Sequence, residues 1–414
     1  MKITDVRTVL LTGPSTGDPY FGRSRRSAAF VELLTDTELS GLGETYAGYF
    51  IPEAVPAIVD FYRPALVGAD PTDVTALSER LFHAGRYWAR NGLGFAVITA
   101  LEAALWDLRG KGEGVPVHTL LGGAGQASLM AYATGGGSLF PLPRLFDKID
   151  FYLGLGFRAF KIGTGAFTLE GEQVSHREAA PAAEFEARKL EAVRAHIGPD
   201  VRLLLDGHQD NDLESRGWEL ATARAVVEAV EPFGLFLFEE PLPYTDPWGY
   251  GQLRGATSVP IAGGETLVGV QEWRTFADLY AFDIAQPDAA FCGGLGEFLR
   301  IAALFDQRGR AIATHSWGAG GGLMQNLHAA FAAPNAVICE IPPAAGPMHT
   351  EIVGDSLRMR DGRILPPETR GLGIALPQAL RDRYPFVPGS GESNPVPGKP
   401  LTDLGYPELL ERAG

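Results

Sequence analysis

Cysteine is nearly missing from this chain. Two residues, Cys292 and Cys339, in a sequence of 414 exclude a disulfide framework, and neither falls in a C-x-x-C pair or a zinc-ligand spacing. Both read as small buried hydrophobes. Long apolar runs are missing too, with no stretch near the roughly eighteen residues that a membrane-spanning helix needs. The first residues, MKITDVRTVLLTG, alternate like a strand and lack the apolar core and small-residue cleavage site of a secretory signal. A soluble, cytoplasmic protein is expected. Positive charge is in deficit, with 35 Lys and Arg against 50 Asp and Glu and a net charge of -15. A groove that tracks nucleic-acid phosphates needs clustered cations, so nucleic-acid binding is excluded. There is no G-K-[ST] of a phosphate loop, no G-x-G-x-x-G after the first strand, no three-residue glycine period and no heptad pattern. An acidic protein that handles an anionic small molecule would then need a local cation, from a few arginines or from a metal.

What is present suffices for a large folded core. Hydrophobic residues make up 45% of the chain and aromatics 10%, enough buried apolar surface to offset chain entropy. The length exceeds one ordinary core, which predicts two units or a large barrel with an additional domain. Residues 2–10 and 28–36 read as strands, and 52–66, 71–88 and 93–111 show helical periodicity, the last in GFAVITALEAALWDLRGK. From residue 128 short apolar runs follow at 129–133, 157–162, 201–206, 235–239, 258–262, 281–286, 310–315 and 336–341, separated by stretches of helical period. Eight strand-helix units predict a closed parallel (β/α)8 barrel; an open doubly wound sheet is the alternative, and it usually has fewer strands. The expected division is an α+β capping domain over 1–125, the barrel over 126–345 and a C-terminal segment over 346–414 that returns to the cap or lies on the surface.

In such a barrel, chemistry gathers at the C-terminal strand ends. Lys161 ends the second run. Asp206 ends the third, with His208 two residues on, a spacing that points both side chains to one face of a strand. Glu239 and Glu240 end the fourth and must point oppositely, and Glu265 follows the fifth. Three carboxylates from consecutive strands are costly to crowd unless a cation neutralises them, and oxygen ligands suit Mg²⁺. Asp288 follows the sixth run, His315 the seventh, and Glu340 lies in the eighth. An Asp beside a His fixes the imidazole tautomer and raises its basicity, as a general base requires. Ser316, next to His315, would point away from it, against a nucleophilic hydrolase. The glycine-rich GAGGG at 318–322 reads as a close-packed turn.

In order and spacing, ALWDLRGK, LLGG, GFRAFK, D-x-H, FEEP, GGET, QPD, THS and CE resemble the enolase superfamily, in its mandelate racemase and muconate lactonising group. The resemblance implies a modified barrel with an α+β cap built from both chain ends. It also implies removal of the proton alpha to a substrate carboxylate, giving an enediolate stabilised by Mg²⁺. Carried onto this chain, Asp206, Glu239 and Glu265 would ligate the metal with Glu240 facing out, and His315 with Asp288 would form the base dyad. Glu340 and Lys161 would meet the substrate carboxylate. Two departures shape the reading. Racemising members carry Lys-x-Lys on the second strand, whereas Gly163 stands at the second position here and can accept no proton; Phe291 likewise gives no lysine on the sixth strand. His208 stands where Asn is common and matches the D-x-H of galactonate-type sugar-acid dehydratases, whose His protonates the departing hydroxyl.

The implied function is an Mg²⁺-dependent sugar-acid dehydratase acting on the R configuration at the alpha carbon. An epimerase or cycloisomerase of the same superfamily and a non-catalytic binding protein are the rivals. Specificity would come from the cap, through Tyr20, Phe21, Arg23, Arg25 and Arg26 on one loop and Tyr46, Tyr49 and Phe50 on another, with Trp317 from the barrel. The arginines are open to two readings, a clamp on a distal carboxylate or solvated charge. The expected partners are the sugar acid and further copies of the chain, with no nucleic acid and no membrane.

Overall fold

The computed structural model describes residues 1–14, 25–135, 140–167, 173–209, 217–343 and 346–390. Tyr20, Phe21 and Arg23 lie outside them. The chain opens with a three-stranded antiparallel sheet of β1 (Ile3–Pro14), β2 (Arg25–Thr35) and β3 (Ser40–Thr45). The third strand, SGLGET, is too glycine-rich to read as a strand from its pattern. Its glycines let the strand lie directly on a helix: a Cβ at Gly41 or Gly43 would collide with the carbonyls of Ala104 and Ala100. The sheet packs against α1 (Val55–Leu66) and the long α3 (Gly92–Glu113), and α2 (Val74–Gly85) packs on those two helices.

Helix α3 is buried on nearly every side from Gly94 to Leu108, which places it between the sheet and the barrel. A helix apolar all round belongs inside a protein. Its charged residues are therefore structural. Asp107, fully buried, accepts from Leu42 N at 2.8 Å, Leu372 N at 2.8 Å and Lys111 Nζ at 2.6 Å. One carboxylate thus ties together the third strand, the helix and the C-terminal return.

The barrel comprises β4 (Leu129–Ala133), β5 (Ala159–Gly163), β6 (Arg202–Asp206), β7 (Leu237–Glu239), β8 (Ile261–Gly263), β9 (Ile284–Ala285), β10 (Ala311–Ala313) and β11 (Ala336–Ile341). Neighbours pair in parallel and β11 pairs with β4, closing the ring. The strands coincide with the eight apolar runs, as expected of parallel strands buried on both faces. Helices follow in turn, among them α4 (Ala179–Ile197) after β5, α5 (Leu295–Asp306) after β9 and α6 (Gly321–Ala332) after β10.

The strand-like SLRMRDGRILPP forms a hairpin, Met359–Arg360 with Arg363–Ile364, that pairs antiparallel with β4 and so extends the barrel wall. The helix Pro347–Val353, ahead of the hairpin, already packs on β1. Beyond the hairpin the chain returns to the cap, where Arg381 grips Glu32 through both terminal nitrogens at 3.1 and 2.7 Å and Thr12 N donates to Tyr384 O at 3.2 Å. Among the described residues no helix is long and apolar enough to cross a membrane.

Removing Asp107 strands two buried amides and an ammonium. Asp107→Ala is expected to lower unfolding free energy by roughly 3–5 kcal/mol, the scale for breaking a buried ion pair. Urea denaturation measures it, and a loss below about 1 kcal/mol would return Asp107 to an ordinary surface-like role.

Candidate active site

A single geometric rule builds the site. Tyr132, Ala159, Leu204, Leu237, Ala262, Ile284, Ala313 and Ile338 form a separate cluster in the barrel interior. Strand side chains alternate with period two, so the residue two further on points to the same side, one layer nearer the C-terminal mouth. Those positions are Thr134, Lys161, Asp206, Glu239, Gly264, Gln286, His315 and Glu340. Six of the eight bear charge or a polar amide, and Lys161, Asp206, Glu239, Gln286, His315 and Glu340 are all at least nine-tenths buried. Gln286 was not singled out from the sequence, although the same parity identifies it. Its Nε2 donates to Glu239 Oε2 at 2.7 Å.

Lys161 Nζ lies 2.8 Å from Glu239 Oε2, 3.0 Å from Asp206 Oδ2 and 3.3 Å from Glu340 Oε1. Burial pushes against its charge, but these carboxylates prevail and hold the ammonium well above its ordinary pKa. Glu340 is fixed from its other oxygen by Ser316 N at 2.6 Å. His208 Nδ1 meets Asp206 Oδ1 at 2.7 Å. The pairing arises from a turn beyond the strand end, where His208 has φ 46°, and not from strand pleating. Burial opposes charge on His208 as well, and Asp206 overrides it, raising the imidazole well above its ordinary value. Asp206 is lowered in return by His208 and Lys161, against the effect of burial.

Glu240 corrects an expectation. Alternation directs it outward, yet it has φ 42°, is 1% exposed and turns into the mouth, hydrogen-bonded to the Tyr244 hydroxyl. That hydroxyl also accepts from Gly264 N at 2.5 Å and Glu265 N at 3.1 Å, so Tyr244 ties the Glu240 side chain to the backbone that carries Glu265. Asp206, His208 and Glu240 place ligand atoms within 4.8 Å of one another. Glu239 and Glu265 flank this group without joining so tight a cluster. Glu239 Oε1, Glu240 Oε2 and Glu265 Oε2 are buried with no hydrogen-bond partner. Unsatisfied carboxylate oxygens converging from the ends of two adjacent strands, β7 and β8, are the donor set of a hard divalent cation, and the residues fit such an ion. Burial and the neighbouring acids lift Glu239 to about 8 even though Lys161 pulls it down.

His315 and Asp288 lie in contact. His315 Nδ1 is 2.8 Å from Asp288 Oδ2, which leaves Nε2 facing the acids, 3.5 Å from Glu265 Oε2. An ionised carboxylate only accepts, so Nδ1 carries hydrogen. Asp288 Oδ1 is held by Asn326 Nδ2 and Ala290 N, both at 2.7 Å. Burial lowers the His315 pKa, but Glu265, Asp288 and Glu340 more than reverse this and bring it to about 10.

The cap closes the mouth from above. Tyr46, packed 5.4 Å from the His315 ring, joins Tyr49, Ala290, Phe291 and Trp317 in one apolar wall. Arg25 is exposed, whereas Arg26 is buried. Glu44, on β3, accepts from Ala319 N and Gly322 N at 2.5 and 2.7 Å, which caps α6 and explains the GAGGG turn. A Cβ at Gly318 or Gly321 would press on that carboxylate. Nothing in the spacing of SGLGET marks Glu44 as a cap for a helix some 275 residues away.

Comparison with known proteins decides the lineage. A model of the mandelate racemase/muconate lactonizing enzyme N-terminal domain matches residues 20–122, and an enolase C-terminal domain-like model matches 149–380. The chain belongs to the enolase superfamily. D-galactarolactone cycloisomerase of Agrobacterium fabrum is 31% identical, over 91% of this chain and 97% of that protein. L-talarate/galactarate dehydratase of Salmonella typhimurium is 29% identical, over 84% and 80%. The solved 3,6-anhydro-D-galactonate cycloisomerase of Zobellia galactanivorans superposes with a TM-score of 0.79 at 26% identity, over 93% and 100%. Relatives of this superfamily member thus include both dehydratases and cycloisomerases.

The cap junction carries a pH signature. Burial, opposed by the two amides, raises Glu44 from 4.5 to about 7, so between these values the folded state binds a proton that the unfolded chain has lost. Its contribution is present below about pH 4.5 and is lost as pH rises through 7. The urea midpoint should therefore fall more steeply between pH 5 and 7.5 in the native protein than in Glu44→Gln; parallel curves would assign the dependence to other groups.

Proposed function

We propose that the protein is an Mg²⁺-dependent dehydratase of a sugar acid. The observation that carries this reading is the second imidazole. His208 is held by Asp206 through Nδ1, and its side chain is 46% exposed, so Nε2 is free to face a substrate. His315 is the base, and His208 is the acid that elimination needs.

The metal would be held by Asp206 with Glu239 and Glu265, and Glu240 turned in beside them. Oxygen donors suit Mg²⁺ better than the His208 nitrogen, which is thereby left for proton transfer. When bound, the ion supplies positive charge at the substrate carboxylate, where the second negative charge of an enediolate collects. Lys161 and Glu340 orient that carboxylate. The acids around His315 now hold its proton too tightly for a base at neutral pH. With Glu265 committed to a cation, the largest of those attractions would be offset and His315 would release its proton nearer neutrality.

His315 Nε2 takes the alpha proton while Nδ1 stays on Asp288. The beta carbon–oxygen bond breaks as His208 Nε2 donates its proton, giving water and an enol. The enol ketonises to a 2-keto-3-deoxy acid. Proton transfer by a positioned side chain of this kind contributes about 10²–10⁴-fold.

Racemisation or epimerisation would require a second base. Lys161 is a poor one, because three carboxylates keep it protonated, and Gly163 offers nothing. Cycloisomerisation is the second reading, favoured by the 31% identical relative of that activity. There the proton removed by His315 would not be accompanied by loss of water, and no keto acid would form. A binding protein without catalysis would have no need of an intact His315–Asp288 dyad.

Two variants separate the roles. His315→Asn is expected to abolish exchange of the alpha proton in deuterium oxide, followed by proton NMR; retained exchange would remove His315 from the base role. His208→Asn should keep exchange and lower keto-acid formation by about 10²–10⁴-fold. If keto acid forms at an undiminished rate, His208 is not the acid.

A further inference from the structure

Resting on the sugar-acid reading above, we propose that Arg26 binds the distal carboxylate of the substrate and selects a dicarboxylic sugar acid over a monoacid.

Arg26 lies on β2 and is only 6% exposed. A buried guanidinium ordinarily sits against a carboxylate. Arg381, reaching the same sheet, does so, with two bonds to Glu32. Arg26 forms no such pair among the described residues. Its Nη2 donates to the carbonyl of Trp317 at 2.5 Å, and its guanidinium carbon lies 4.5 Å from the Trp317 ring centre and 4.8 Å from that of Tyr49. Its charge lowers the titration of Glu44, but the two oxygens of that acid are already taken by Ala319 N and Gly322 N. Its remaining N–H groups have no acceptor among the described residues.

The position adds to the chemistry. Trp317 is two residues beyond His315, so the bond from Arg26 to its carbonyl anchors the cation beside the loop that carries the base. Tyr46 lies between Tyr49, on which it stacks at 5.6 Å, and His315, tilted against it at 5.4 Å, which makes these rings one continuous wall from Arg26 to the reacting imidazole. The rest of the mouth is acidic, with Lys161 already committed to three carboxylates. His208 and His315 are likewise paired, with Asp206 and Asp288, which leaves Arg26 among the described residues to meet a second substrate carboxylate. Guanidinium offers a planar fork of N–H donors that matches a carboxylate, and the rings fix its orientation before the ligand arrives.

Calorimetry on the full chain with Mg²⁺ tests this, using galactarate as the diacid and galactonate as the matched monoacid. The native protein should bind galactarate at least about tenfold tighter, and Arg26→Gln should weaken galactarate about 10- to 100-fold, the scale of a lost charged hydrogen bond, and so erase the preference. Arg26→Lys, which keeps the charge but not the fork, should retain part of it, and decides the matter if the Gln variant does not fold. A native protein without the preference, or equal losses for both acids, would overturn the assignment. Failure of the dehydratase reading looks different: the binding preference persists and neither acid yields a 2-keto acid.

Discussion

The constraint on which the rest of the molecule depends is the crowding of acids at the barrel mouth. Asp206, Glu239, Glu240, Glu265, Asp288 and Glu340 are all buried there. Six carboxylates cannot all be ionised in a low-dielectric space without cations close by. The chain answers with Lys161 and two imidazoles, and still leaves a buried oxygen without a hydrogen bond on each of Glu239, Glu240 and Glu265. The reactivity proposed for His315 follows from that same balance. Its proton affinity is set by how much negative charge faces it, so any cation shared with Glu265 tunes the base.

Carboxylates also join the two parts of the chain. Glu44 caps α6, and Glu102 on α3 accepts from Leu295 N and Gly296 N, both at 2.9 Å, at the start of α5. Helix N-termini expose unpaired N–H groups and a positive dipole end, which an acid satisfies. The cap is thereby locked onto the helices that follow the sixth and seventh barrel strands, β9 and β10, after which Asp288 and His315 lie. Gln325 and Asn326, on α6, reach from Glu44 and Ala289 to Asp288. The wall that would recognise substrate and the dyad that would react with it are positioned by one helix.

Much of this was legible in the residues. Parallel strands buried on both faces leave continuous apolar runs, so all eight barrel strands stand out, and polar residues closing such runs have few reasons to be there apart from chemistry. The His315–Asp288 pair emerges from that logic. Features set by a single backbone angle or by long-range packing do not. Glu240 turns inward because of a left-handed backbone that no side-chain pattern announces. The β3 strand hides behind glycines chosen for contact with α3, and the hairpin Met359–Ile364 extends a barrel wall that lies far upstream of it in the chain. Gln286 was open to discovery by strand parity alone. Arg26 looked no different from its exposed neighbour Arg25 until burial separated them.

Titration of Mg²⁺ into the purified protein tests most directly whether these acids are arranged for a divalent cation. Metal binding to a group such as Glu239, raised to about 8, must displace protons at neutral pH. Calorimetry in buffers of different ionisation enthalpy is predicted to give one ion per chain with net proton release. No saturable binding, or binding that releases no protons, would contradict it.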